Sequence, residues 1–327
     1  MGDGCVLAKE DERLVVKREG EVLQTVPALK VDQVMVFGNS ALTTPAMNFC
    51  LQQKIPIVLL SSRGRYFGVI DAFDTDPVLL HRDQFARAAD AGFCLGVARA
   101  IVRGKLANSR LVLRRFSRKR EAPALEKADH DIGTLARSLE SASSLDALRG
   151  VEGTAARYYF SAFRSLLAEQ WGFAGRRRRP PPDPVNALLS YGYTLLYYNL
   201  YALVRARGLN PHVGFLHPLR AGHPALVSDL IEEFRSIVVD ALVLTLLLNE
   251  RFTANDFLSP DDRGARLLTD PARRRFVHAF EAKMNAAVTH PGTGQRLDYR
   301  RCMEQQVQAL AAVVRGRRED YVPMMLR

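Results

Sequence analysis

The 327 residues hold only four cysteines, Cys5, Cys50, Cys94 and Cys302, with no CxxC pair and no histidine at metal-ligand spacing from any of them. A structural zinc site and a disulfide framework are thereby excluded, and the plain reading is reduced thiols in a cytoplasmic protein. No Walker loop, dinucleotide-binding glycine fingerprint or G-x-S-x-G elbow occurs, which removes nucleotide-hydrolysis and serine-hydrolase chemistry. Residues 1–12 carry four acids and no apolar core, so they do not read as a signal peptide. Only one stretch, 185–204, lacks charge over a length that would span a bilayer. It holds Asn186, Ser190, Asn199 and five tyrosines, which a bilayer centre penalises, and so reads as a buried core helix.

What the chain has in excess is positive charge: 46 Lys and Arg against 35 Asp and Glu, a net +11. Such a balance favours polyanionic partners, nucleic acid before an anionic membrane face. The arginines cluster in runs: 110–120, Arg176, Arg177, Arg178 and Arg179, then 273–275 and 315–318. Guanidinium forks match phosphate oxygens bidentately, so the runs, with Arg220 and Arg235 nearer the candidate site below, are candidates for DNA backbone contacts. Any single run also fits a solvated surface.

The hydrophobic pattern changes period near residue 76, which predicts an α+β chain of two parts. Residues 14–18 and 22–26 flank Glu19-Gly20 as a hairpin, 34–37, 55–60 and 66–70 read as further strands, 62–65 as a turn, and 45–53 as a short helix. The expected division is a β domain over 1–76, a linker over 77–84 and a helical domain over 85–327. Helices are expected at 85–103, 125–147, 151–170, 185–207, 224–249, 270–289 and 300–315, with 176–183 (RRRRPPPD) breaking structure between them.

Two places combine charge with burial. In the 151–170 helix, Ala155, Ala156, Tyr159 and Phe163 form an apolar stripe, and Glu152 falls on it. A carboxylate facing inward is costly unless it meets a cation; the alternative is a first-turn glutamate complementing the helix dipole. The second place is His217, in an apolar 214–216 segment, with Asp229, Glu232 and Glu233 on one flank of the following helix. Carboxylates three apart can converge on one ion, and two or three of them with an imidazole suit Mg²⁺ or Mn²⁺. The other reading is an acidic helix start beside a core histidine.

These segments together resemble the CRISPR-associated endonuclease and integrase family, Cas1. The resemblance lies in Ile55-Pro56-Ile57 with Ser62 to Gly68, Lys105-Leu106-Ala107-Asn108, Val151-Glu152-Gly153, Arg179 to Tyr193, Gly214-Phe215-Leu216-His217, Asp229 to Arg235, and the tail with Tyr321-Val322-Pro323. It implies a small β-sandwich-like N-terminal domain that dimerises, followed by a larger all-helical catalytic domain. The implied metal ligands and catalytic residues are Glu152, His217 and Glu232, with Asp229 as second choice, and Glu233 stays eligible. The implied reaction is insertion of short DNA fragments into a CRISPR array by 3′-hydroxyl attack at the repeat boundary. Implied partners are DNA, a second copy of the chain, the small protein Cas2 and a further adaptation nuclease, with no membrane. His223 departs from the pattern, which often has arginine there. A non-catalytic DNA-binding subunit of the same complex is the alternative.

Overall fold

The structure is a computed structural model that describes residues 4–31, 33–61, 66–72, 77–118, 122–177 and 180–326. The turn expected at 62–65, and Lys119, Arg120, Arg178 and Arg179 of the basic runs, lie outside the described residues. The chain divides into two units, Met1–Asp76 and Pro77–Arg327.

In the first unit β1 (Cys5–Glu10), β2 (Arg13–Arg18) and β3 (Glu21–Pro27) form an antiparallel meander, followed by β4 (Val34–Phe37), β5 (Ala41–Leu42), α1 (Thr44–Gln52), β6 (Ile57–Leu60) and β7 (Tyr66–Ile70). One sheet runs β3-β2-β1-β5 and the other β4-β6-β7. The expected hairpin turn is present: Glu19 and Gly20 both have positive φ, 52° and 87°, the backbone a two-residue hairpin demands. β1 is an addition to the sequence reading, because Lys9 and Glu10 mask the alternation that turns Cys5 and Leu7 inward. Leu7 and Leu14 from one sheet, Val36 and Ile57 from the other, and Phe49 of α1 meet in one apolar core.

The second unit contains α2 (Val78–Ala89), α3 (Ala91–Ser117), α4 (Pro123–Ser138), α5 (Leu145–Ser165), α6 (Pro184–Ala206), α7 (Ala225–Ile231), α8 (Ala241–Leu248), α9 (Asp270–Met284), the hairpin strands β8 (Ala287–Thr289) and β9 (Arg296–Asp298), and α10 (Tyr299–Val314). Residues 78–84, expected as linker, are helical from Val78 because Leu80 and Gln84 are buried. Gln84 Nε2 donates to the carbonyls of Asn210 and Val213 at 2.9 and 2.7 Å, tying α2 into this unit. Asp90 divides the expected 85–103 helix, since its carboxylate caps Gly92 N and Phe93 N at 2.9 and 3.0 Å and starts α3 afresh. Ser144 caps Ala147 N, so α5 begins at Leu145 rather than at Val151. The segment expected as one helix over 224–249 is three pieces: α7, a tight turn at 232–234, and a wide π-helical stretch Arg235–Asp240 that leads into α8. The unit is helical as expected but for the β8–β9 hairpin. Among the described residues no helix is long and apolar enough to cross a membrane, and most of α6 is buried in the core.

Candidate catalytic centre

The early start of α5 decides what Glu152 is for. Asp146 occupies the first turn, so Glu152 lies beyond the reach of a dipole-complementing role. It sits on the same side as buried Ala155 and Tyr159, one quarter exposed. Lys105 of α3 obeys the same logic with opposite sign. Its helical neighbours Ala98, Ile101, Asn108, Ser109 and Val112 are all buried, so the ammonium projects inward. The two meet as an ion pair between Lys105 Nζ and Glu152 Oε1. Lys105 Nζ also lies 2.5 Å from Glu232 Oε2. The sequence motif Lys105-Leu106-Ala107-Asn108 assigns Lys105 no role; its place on the buried stripe of α3 is the signal that does.

Glu232 follows the last residue of α7 and is 4% exposed. Burial alone would raise its pKa, but Arg235, whose Nη1 donates to Oε1 at 2.8 Å, and then Lys105 hold the carboxyl well below the ordinary carboxylate range. Arg235 is itself seated 4.2 Å from the centroid of the Tyr193 ring. Tyr193 donates its hydroxyl to Asp240 Oδ1 at the end of the π-helical stretch. Burial pushes the Asp240 carboxyl up to about 6 against the lowering effect of that bond and of Arg235.

His217 is positioned by Asp229. The buried Asp229 carboxylate accepts the backbone N–H of Phe215 and Leu216 on Oδ2, at 2.5 and 3.0 Å, and that of His217 on Oδ1 at 2.9 Å. Nδ1 of His217 lies 2.8 Å from the same Oδ1. Facing an acceptor-only carboxylate, Nδ1 carries the proton, which leaves the Nε2 lone pair for another partner. Gly214 allows this loop to close: a Cβ there would stand 2.7 Å from Asp229 Oδ2 and 2.8 Å from the Ala225 carbonyl carbon. Arg149 of α5, absent from the sequence candidates, clamps the loop from outside by donating Nε and Nη2 to the Leu216 carbonyl at 3.0 and 2.6 Å. Its signal is its position, three residues before Glu152 on the same helix.

The spacing puts Asp229, Glu232 and Glu233 on one flank, and the structure gives them three different partners. Asp229 Oδ1 and Oδ2 each accept two hydrogen bonds from the His217 loop, so the carboxylate holds that loop and its imidazole in place. Glu233 points to the C-terminal tail, where it accepts from Tyr321 Oη at 2.6 Å, Gln306 Nε2 at 2.9 Å and Met324 N at 2.6 Å. Burial, offset in part by those bonds, raises its pKa to about 7. The physical reason is the end of α7: the Glu232 and Phe234 amides reach back three residues, to Asp229 and Ile231, and break the regular helical face. Asn108 of α3 braces the break, donating to the Glu233 and Met324 carbonyls at 2.7 and 2.8 Å.

A cavity of about 480 Å³ opens beside the two glutamates, with Lys105, Glu152, Tyr193, Glu232, Arg235 and Arg176 in its wall. His217 is not part of that wall, yet its ring is near enough to contribute to the lowering of the Glu232 pKa. Among the described residues no three His, Cys, Asp or Glu side chains converge on one point; the ammonium of Lys105 stands between Glu152 and Glu232 instead. The basic candidates also divide. Arg176 is turned inward, donating to Asn186 Oδ1 at 2.8 Å and Ser190 Oγ at 3.1 Å, while Arg177 and Arg220 are exposed. Arg235, expected to face DNA, is committed to Glu232 and Tyr193. His223 bonds Ser228 Oγ at 3.2 Å through Nε2, and burial with neighbouring His217 lowers its pKa.

Comparison with known proteins agrees with this architecture. The family model described as "CRISPR associated protein Cas1" matches residues 1–282. A relative named CRISPR-associated endonuclease Cas1 1, from Thermus thermophilus, is 40% identical over 324 residues, 99% of this chain and 97% of its own. Among solved structures, a Cas6-RT-Cas1–Cas2 complex superimposes with a TM-score of 0.82 at 26% identity; the match covers 99% of this chain and 35% of the longer one. A casposase bound to integration product shares the fold, with a TM-score of 0.86 at 23% identity over 100% of this chain and 93% of its own. With the family model covering most of its length and a relative aligned nearly end to end, the chain belongs to the CRISPR-associated Cas1 family.

Proposed function

We propose that this chain is a divalent-metal-dependent DNA endonuclease and strand-transfer enzyme that inserts short DNA fragments into a CRISPR array, by attack of a fragment 3′-hydroxyl on a phosphodiester at the repeat boundary. The observation that carries the reading is the geometry at His217: Asp229 holds Nδ1 so that Nε2 is presented, on a loop beside a glutamate that Arg235 and Lys105 keep ionised.

Glu152, His217 and Glu232 are the residues that would hold Mg²⁺ or Mn²⁺, and their donor set fits a hard divalent ion. When bound, such an ion supplies Lewis-acid polarisation of the scissile phosphate and stabilises the leaving 3′ oxygen. The chain's own residues do the rest. Asp229 fixes the imidazole tautomer, Arg149 fixes the loop, and Arg235 holds Glu232 in its charged form while stacked on Tyr193. The cavity offers room next to the carboxylates for a strand whose phosphates are met by exposed arginines such as Arg177 and Arg220.

The net charge of +11 supports DNA as the substrate. The fold shared with a casposase on its integration product supports strand transfer over hydrolysis alone. The likeness to a Cas6-RT-Cas1–Cas2 complex supports Cas2 as a partner; a homodimer of this chain is part of the same proposal. Four buried, unpaired cysteines suit a reducing cytoplasm.

The test is a strand-transfer and cleavage assay with purified chain, Cas2, array DNA and Mn²⁺ or Mg²⁺. His217→Ala and Glu232→Gln are expected to lose both activities while retaining DNA binding. Full activity of both variants in Mn²⁺ would show that the chemistry lies elsewhere, and inactivity of the unaltered chain would favour a non-catalytic DNA-binding subunit.

A further inference from the structure

Lys105 is an ammonium enclosed by the groups a divalent ion would need. Its side chain is 14% exposed, that of Glu232 is 5%, and its ion pairs are with Glu152 and Glu232. We propose that Lys105 is the resident counter-ion of the metal-free site: it holds the two glutamates together, competes with the divalent ion for them, and swings out into the cavity when the ion enters. This inference rests on the reading of Glu152, His217 and Glu232 as the ligand set.

Space and like charge set the ammonium against an incoming ion. Lys105 Nζ stands between Glu152 Oε1 and Glu232 Oε2, the place an ion shared by the two carboxylates would take, and Arg235 is the second cation on Glu232. A divalent ion brought beside that ammonium in a largely dehydrated place would be repelled strongly by it. Of the two cations, Arg235 is the one built in. Its guanidinium bonds Glu232 at 2.8 Å and stacks on Tyr193, and it is one of the charges that lower Asp240. Lys105 has a flexible four-carbon stem, makes no fork-like contacts, and lies in the wall of the 480 Å³ cavity, which gives its ammonium somewhere to go. A monovalent point charge also loses to a divalent one for the same pair of carboxylates. Without the lysine, Glu152 on α5 would face Glu232 at the end of α7 with only Arg235, which bonds Glu232, to offset the pair in the metal-free protein. Lys105 therefore holds the two carboxylates together at the expense of part of the site's metal affinity.

The experiment is calorimetric titration of the full chain with Mn²⁺ in the absence of DNA, on the unaltered protein and on Lys105→Met, Lys105→Arg and His217→Ala, each checked for fold by circular dichroism and thermal melting. Lys105→Met is expected to bind Mn²⁺ about tenfold more tightly, roughly 1.4 kcal/mol. Its melting point without metal should fall below that of the unaltered chain, and Mn²⁺ should raise it by more. Lys105→Arg, which keeps the charge, should not gain affinity. Should Lys105→Met unfold without metal, recovery of its melting transition by Mn²⁺ is the same result, and failure to recover overturns the proposal. A folded Lys105→Met that binds Mn²⁺ no more tightly, while the unaltered chain binds it in a His217-dependent way, overturns the role of Lys105 and leaves the metal reading standing. Absence of any His217-dependent Mn²⁺ binding in all the proteins overturns both.

Discussion

Asp229 Oδ1 lies 2.8 Å from His217 Nδ1 and also accepts the backbone N–H of His217 at 2.9 Å, so one carboxylate oxygen fixes both the place of the residue and the orientation of its ring. Asn at 229 would preserve shape but replace one acceptor oxygen with an N–H₂ donor, facing either the imidazole or the Phe215 and Leu216 amides. Asp229→Asn is therefore expected to lower strand transfer and Mn²⁺ affinity by about 10–100-fold, the usual cost of removing a histidine's outer partner. Asp229→Asn in a His217→Ala background should add little further loss of Mn²⁺ affinity, because Asp229 acts through His217. The double-mutant cycle checks this, and fully additive losses would separate them.

Arg176 and Arg177 are adjacent in sequence and opposite in commitment. Arg177 is exposed, whereas Arg176 bonds Asn186 and Ser190 of α6. Arg177→Ala is expected to flatten the dependence of DNA affinity on salt, with the log–log slope falling by about 0.9 for one lost phosphate contact. Arg176→Ala should instead lower the melting point. DNA binding measured across a salt series, beside thermal melts, separates the two, and an unchanged slope for Arg177→Ala would make it a solvated side chain only.

Asp240 gives stability a definite pH dependence. Its folded-state pKa, about 6, lies above that of an unfolded chain, about 4. At pH values below both, folded and unfolded chains hold the proton and the fold is not penalised. Between them the unfolded chain ionises first, so this contribution falls as pH rises, and above the folded value the full deficit is in place, about 2–3 kcal/mol. Asp240→Asn keeps an oxygen to accept the Tyr193 hydroxyl. It is expected to raise the melting point at pH 7–8 and have little effect at pH 4. Denaturant midpoints over that range provide the check, and a variant less stable at pH 8 would mean that the ionised form is the favoured one.

Gly192 lies in α6 against the π-helical stretch. A Cβ there would come within 2.6 Å of Val239 Cγ1 and 3.1 Å of Phe276 Cζ. Alanine is the better helix former by about 1 kcal/mol, but overpacking a stiff, β-branched neighbour costs about 1–3 kcal/mol. Gly192→Ala should therefore destabilise the chain by up to about 2 kcal/mol net. It should also weaken activity through displacement of the Arg235–Asp240 segment. Paired measurements of melting point and strand transfer test it, and a more stable, fully active variant would show that the contact relaxes freely.

Sequence and tertiary structure divided the outcome along physical lines. Periodicity and turn chemistry are local, and they were enough for the strand-to-helix change, the Glu19-Gly20 hairpin, the buried character of 185–204 and the inward aim of Glu152. They did not reveal the hidden caps: Asp90 and Ser144 interrupt or extend runs whose apolar pattern continues across them. The site needed more. That Asp229 is spent on its own loop, that Glu233 belongs to the tail, and that Lys105 stands between two glutamates are facts about which partners meet over separations from a dozen residues to more than a hundred. An isolated helix pattern assigns a side chain to a face; only the packed chain decides what charge waits on the other side, because pairing energies inside a protein depend on distances that no local rule fixes.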